Sequence, residues 1–182
     1  ILKIIKKELE INDKQQIIVL AHNKNLLTYI FKAIEHRNIA TVGYYIGGMK
    51  EKDLKISETK QVLIATYSMA SEGLDIKTLT TLVFATPKTD IEQAVGRILR
   101  VKHTNPLVID IIDKHDLFKK QWLKRRLFYH KNGYTIQYTE NYDSDKWCEL
   151  KKKEPKILQQ SLEKEISNLP VNKCLISIAN LN

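Results

Sequence analysis

The chain has 182 residues and carries 30 Lys and Arg against 21 Asp and Glu, a formal charge of +9. With 43% hydrophobic and 28% charged residues it has an ordinary globular composition, which excludes wholesale disorder, and no apolar run approaches the ~18–20 residues of a membrane span. Cys148 and Cys174 make neither a disulfide framework nor a zinc site, so a reducing intracellular setting is expected. No apolar run at the amino terminus resembles a signal peptide, and a chain opening at Ile1 reads as a fragment. The basic balance alone implies an acidic partner, with nucleic acid among the candidates.

Residues 16–21 (QIIVLA) read as a buried strand. Asn23 is placed to cap a helix whose apolar positions Leu26, Leu27, Ile30, Phe31 and Ile34 follow a 3.6-residue period. A second strand is expected over 40–46, ended by Gly47-Gly48, then a short helix over 49–57 and a third strand over 61–66. Residues 80–86 and 106–112 supply the fourth and fifth strands. Continuous apolar strands separated by helices predict a doubly wound α/β domain of five or six strands. A helix over 114–131, stopped by Gly133, and a strand over 134–138 follow. The domain is expected to span 1–138, with 139–182 as an extension. Pro155 opens a helix to about 168, and the last twelve residues form a strand or fray.

The 30 cations divide into 25 Lys and only five Arg, at positions 37, 97, 100, 125 and 126. Arg offers a rigid bidentate fork that Lys cannot replace, so each Arg in such a Lys-rich chain is informative. Two of them lie in residues 89–100, TDIEQAVGRILR. Thr89 and Glu92 have capping-box spacing, so a helix is expected to begin there. On it Gln93, Arg97 and Arg100 share one face, while Ile91, Ala94, Val95, Ile98 and Leu99 lie opposite. An ordinary surface helix is the plain alternative. Gly96 beside the polar face argues against it, because glycine costs about 1 kcal/mol in a helix and implies a close approach to the backbone. Two forked donors on a rigid helix suit an anion, most naturally a transferring phosphate.

Residues 65–76, ATYSMASEGLDI, follow the third strand. Open parallel sheets bind ligands at the carboxyl ends of their strands. That edge would hold the hydroxyls of Thr66 and Ser68, with Gly73 and Asp75 as a turn and a carboxylate suited to a ribose hydroxyl. A phosphate-cradling loop is missing: Gly43…Gly48-Met49-Lys50 has the wrong residues at its end, and Gly43 lies in an expected strand. No Asp-Glu pair is present to hold magnesium, and no metal site is expected. Residues 114–131 hold five Lys and two Arg against Asp116, and eight of the fourteen aromatics fall between Phe118 and Trp147. Cations mixed with aromatics can track a phosphate backbone, which makes Lys124, Arg125 and Arg126 candidate contacts. Packing of Trp122, Phe128 and Tyr129 onto the sheet is the alternative.

Taken together, Ala-Thr…Glu-Gly-Leu-Asp-Ile and, about twenty residues later, Gln-x-x-Gly-Arg-x-x-Arg resemble motifs V and VI of superfamily 2 helicases. The resemblance covers about residues 10–136. Residues 107–134 are similar to the branch that contains phage and large-DNA-virus helicases, including the poxvirus transcript-release helicase and its African swine fever virus counterpart. It implies a RecA-like three-layer fold, with a mostly parallel central sheet flanked by helices and a C-terminal extension. It also implies the second of two such domains in an ATP-dependent helicase or translocase, of viral type and with transcription among its roles left open. Gln93, Arg97 and Arg100 would face the γ-phosphate, with Arg100 as the arginine finger, and Gly73 and Asp75 would lie near the nucleotide. Thr66 and Ser68 would face the nucleic-acid backbone, with His22-Asn23 and Gly47-Gly48 also approaching phosphates. ATP and Mg2+ would be bound mainly by an N-terminal RecA-like domain, leaving this chain inactive alone and monomeric. The strand partner would be DNA or RNA, with no membrane. Localisation would be intracellular, in the host cytoplasm, a virus factory or the virion if the protein is viral. A strand-binding module that takes no part in hydrolysis is the competing reading.

Overall fold

In the computed structural model, the apolar runs become five parallel strands: β1 (Ile17–Ala21), β2 (Val42–Tyr45), β3 (Val62–Thr66), β4 (Thr81–Phe84) and β5 (Leu107–Ile112). The structure describes residues 1–72, 74–98, 106–113, 115–143, 146–150 and 175–181; of these, Glu72, Arg97, Ile98 and 175–181 are described by their backbone alone. The helices are α1 (Leu2–Ile11), α2 (Lys24–His36), α3 (Glu51–Glu58), α4 (Tyr67–Glu72), α5 (Glu92–Ile98) and α6 (Asp116–Lys131). Three further strands, β6 (Tyr134–Thr139), β7 (Cys148–Glu149) and β8 (Leu175–Leu181), extend the sheet. The spatial order is β2-β3-β1-β4-β5-β8-β6-β7, with the last three strands antiparallel to their neighbours.

Alternating residues of one strand face opposite cores, which makes the three layers. Ile17, Val19 and Ala21 of β1 pack with Ile4 and Ile5 of α1 and with Leu27, Ile30 and Ile34 of α2. Ile18 and Leu20 pack on the other face with Tyr67 and Ala70 of α4, Ala94 and Val95 of α5, and Trp122 and Tyr129 of α6. Every residue of β1 and β4 is buried, as expected for strands covered on both faces.

Several expectations change. Helix α1 is an addition, and of the two readings of the last twelve residues the strand holds: β8 stands inside the sheet between β5 and β6. The helix expected over residues 155–168 lies outside the described residues. Gly43 is explained by packing: a Cβ there would lie 2.9 Å from Cβ of Ser57 on α3. Gly133, with φ +81, turns the chain from α6 into β6.

Candidate functional site

Parallel pairing brings the carboxyl ends of β3, β1 and β4 side by side, with Thr66 opposite Ala21 and Leu20 opposite Phe84. His22 and Asn23 follow β1, Gly47 and Gly48 follow β2, Thr66 ends β3, and Thr86 and Lys88 follow β4. The sequence-predicted strand contacts outside α6 thus share one edge. Asn23 caps α2 as its spacing predicts, its Oδ1 accepting from the amides of Asn25 at 2.8 Å and Leu26 at 3.4 Å. Thr66 Oγ1 and Ser68 Oγ are paired at 3.2 Å. Gly47 and Gly48 are both exposed, and nothing lies within 4 Å of where a Cβ would stand on either. Gly48, at φ +89, needs glycine for its backbone.

His22 is fixed by Thr86, which accepts from its backbone N–H at 3.0 Å and pairs with its Nδ1 at 3.1 Å. The Tyr67 ring centroid lies 4.4 Å from that of His22, and the Tyr67 hydroxyl donates to the Thr86 carbonyl. The Lys88 ammonium stands over the Tyr67 ring, 4.9 Å from its centroid. Partial burial, and then the Lys88 charge, lower the His22 pKa from its ordinary value of 6.5, so the ring is mostly neutral at pH 7. Tyr67, Thr86 and Lys88 escaped the sequence reading. For Thr86 and Lys88 the signal was present in Thr86-Pro87-Lys88, directly after a strand's carboxyl end.

Helix α5 has the expected two faces. Ile91 ahead of it and Ala94 and Val95 within it are buried, whereas Gln93 and Gly96 are exposed. Its start differs from the expected capping box: the helix opens at Glu92, whose amide donates to Asp90 Oδ1 at 3.2 Å, an Asx turn in place of a Thr89 cap. A Cβ on Gly96 would meet nothing within 4 Å, so packing among the described residues does not require glycine there. The Arg97 backbone lies in the last turn; its side chain, Arg100 and Gly73 fall outside the described residues. Asp75 is exposed, and it adds to burial and Glu58 in pushing up the pKa of the Tyr45 hydroxyl.

The basic helix is corrected. Arg125, expected to touch a strand, is 1% exposed; its Nε and Nη2 fork onto Asp110 of β5 at 2.6 and 2.9 Å, and its Nη1 donates to the Lys88 carbonyl at 2.7 Å. Arg126 is also buried, with Nε directed to His130 at 3.3 Å. The buried stripe of α6 reads Lys119, Trp122, Arg125, Arg126 and Tyr129, so charged residues occupy places where an apolar period was sought. Lys120, Lys124 and Lys131 remain exposed, which leaves Lys124 as the expected contact of this helix still open to solvent. Burial pushes the Asp110 carboxyl up and the Arg125 guanidinium opposes it; burial likewise works against the Arg125 charge, which the Asp110 carboxylate outweighs.

Among the described residues no three His, Cys, Asp or Glu side chains gather as a metal site. The carboxyl edge instead presents hydroxyls, an imidazole, an exposed amide and an ammonium, a set that fits phosphate oxygens. A groove of about 590 Å³ lined by Leu2, Lys6, Arg37 and Gln61 lies at the amino ends of the strands, away from this edge.

A family model for the helicase conserved C-terminal domain matches residues 1–102. "Putative ATP-dependent RNA helicase L396" of Acanthamoeba polyphaga mimivirus is 54% identical over 99 residues, covering 53% of this chain and 19% of that protein. "Putative ATP-dependent RNA helicase QP509L" of African swine fever virus (isolate Pig/Kenya/KEN-50/1950) is 26% identical over 149 residues, covering 74% of this chain and 29% of that protein. The chain thus spans less than a third of either relative. The solved C-terminal part of the Fun30 ATPase domain superposes with a TM-score of 0.52 at 15% identity, over 91% of this chain and 53% of that one.

Proposed function

Since the chain belongs to the helicase conserved C-terminal domain family, we propose that it is the second RecA-like domain of a viral ATP-dependent helicase or translocase. The observation that carries this reading is α5: a helix buried through Ala94 and Val95 that offers Gln93 and Gly96 to solvent in the Gln-x-x-Gly-Arg-x-x-Arg segment. A rigid buried face fixes the helix backbone that carries Gln93 and Gly96, and preorganised donors meet developing charge without reorganising. Gln93, Arg97 and Arg100 then contact the γ-phosphate, Arg100 as the finger, with Gly73 and Asp75 near the nucleotide. Bound ATP with Mg2+ supplies the reacting phosphoryl group and its charge neutralisation, and the N-terminal domain holds most of both.

Thr66, Ser68, His22, Asn23 and the Gly47-Gly48 turn form the strand edge, and Lys124 is a further contact. The names of the mimivirus and African swine fever virus relatives favour RNA as the strand. Host cytoplasm, virus factory or virion is the corresponding location.

The test compares this chain alone with the same chain joined to its phosphate-loop domain. The expected result is no ATPase from the chain alone and strand-stimulated hydrolysis from the joined protein. Turnover by the chain alone would refute the half-site reading. Strand binding by the joined protein without any hydrolysis would favour the binding module.

A further inference from the structure

The cluster around Lys88 is absent from the residues matched to motifs, yet it is the most elaborately held part of the carboxyl edge. Three elements fix it. Arg125 on α6 forks onto Asp110 on β5 and in turn donates to the Lys88 carbonyl at 2.7 Å. The Lys88 ammonium then lies over Tyr67, whose hydroxyl donates to the Thr86 carbonyl. Stability alone does not require this arrangement, because well-packed apolar side chains of similar volume often replace a buried ion pair at no loss. What only the guanidinium supplies is a third donor, aimed at the backbone of Lys88.

Among the described residues no carboxylate lies within ion-pair distance of the Lys88 ammonium. Along the edge, in the spatial order β3-β1-β4, stand the Thr66–Ser68 hydroxyl pair, then His22, then Thr86 and Lys88. Two strand spacings set the backbone ends of β3 and β4 about 10 Å apart. That suits successive phosphates of a strand rather than one isolated anion. The His22 Nδ1 is occupied by Thr86, and Nε2 has no partner among the described residues.

We propose that Lys88 is a backbone-phosphate contact for a nucleic-acid strand, held in place by Arg125 and Asp110 as a positioning pair, and that it continues onto β4 the row begun by Thr66, Ser68 and His22. This rests on the strand-binding reading above.

The test titrates the whole chain with an oligouridylate of about 12 nucleotides over a salt series. Lys88→Gln lowers the slope of log K against log salt by about 0.7, the value for one phosphate contact on a single strand, and Lys88→Arg keeps it. Unchanged slope and affinity in Lys88→Gln, beside salt-dependent binding by the parent, overturn this inference alone. A parent chain that shows no salt-dependent binding overturns the strand-binding reading along with it. If Lys88→Gln leaves strand binding intact but raises the KM for ATP in the joined protein, Lys88 serves the nucleotide and the proposal fails.

The positioning role has its own readout in the imidazole resonances of His22. Lys88→Gln raises the His22 pKa toward its ordinary value by removing a nearby positive charge. Arg125→Lys keeps a cation beside Asp110 but loses the fork, so it moves both the His22 titration and the salt slope in the direction of Lys88→Gln. A folded Arg125→Lys chain with the parent's His22 titration and slope would overturn the positioning role.

Discussion

Arg125→Met removes the guanidinium and leaves the Asp110 carboxyl, 1% exposed, in the core. Asp110 then keeps, of the partners described, only the Tyr129 hydroxyl at 3.5 Å, having lost donors at 2.6 and 2.9 Å; the Lys88 carbonyl loses its donor as well. Breaking a buried pair from one side costs about 3–5 kcal/mol, a large part of the 5–15 kcal/mol that keeps a typical domain folded. At about 2–4 °C per kcal/mol for a chain of this size, the melting temperature falls by roughly 6–20 °C. Urea and thermal unfolding of parent, Arg125→Met and Arg125→Met/Asp110→Leu provide the assay. The double variant should recover most of the loss, because no buried charge is stranded in it. A single-variant cost below about 1 kcal/mol, the range of an exposed pair, would refute the reasoning, and so would a double variant as unstable as the single one.

Gly43→Ala should destabilise the chain by about 1–3 kcal/mol in denaturant unfolding, because the new methyl meets Ser57 Cβ at 2.9 Å and the α3 backbone at 3.0 Å. Gly96→Ala has the opposite sign: open space and helical backbone predict a gain of about 1 kcal/mol in stability, with ATPase of the joined protein lowered if a ligand approaches that face. Burial pushes Tyr134 up to about 12 and also raises Tyr67, Tyr129 and Tyr142. The unfolded chain ionises its tyrosines near 10 while the native one holds their protons, so stability is intact below pH 10 and falls as pH rises beyond it; tyrosinate absorbance and unfolding measured together should show this.

The parallel half of the sheet was legible because β1, β3 and β4 are continuous apolar runs, and such runs fit only strands covered on both faces. The antiparallel half was harder to read. β8 pairs with β5 and β6 across intervals of more than thirty residues, and no local pattern carries such a pairing. Helix α6 misled for a chemical reason: Lys119, Arg125 and Arg126 lie in its buried stripe, so a count of cations overstated the surface charge. The same burial explains why its apolar residues fell on no clean face, with Leu117 and Leu127 outward. At the candidate site, Asn23, Thr66, Ser68 and His22 could be placed on one sheet edge from the sequence because strand ends are readable. The cluster around Lys88 was not legible because it depends on Arg125, thirty-seven residues away, reaching the Lys88 carbonyl.

The central claim is that this chain supplies the cationic half of an ATP site, with Arg100 as the finger. ATP hydrolysis by the joined protein carrying Arg100→Ala, measured with saturating strand, tests it most directly. The account predicts a fall of about 10³–10⁵ in turnover with strand affinity retained. Hydrolysis at the parent rate in that variant would contradict it.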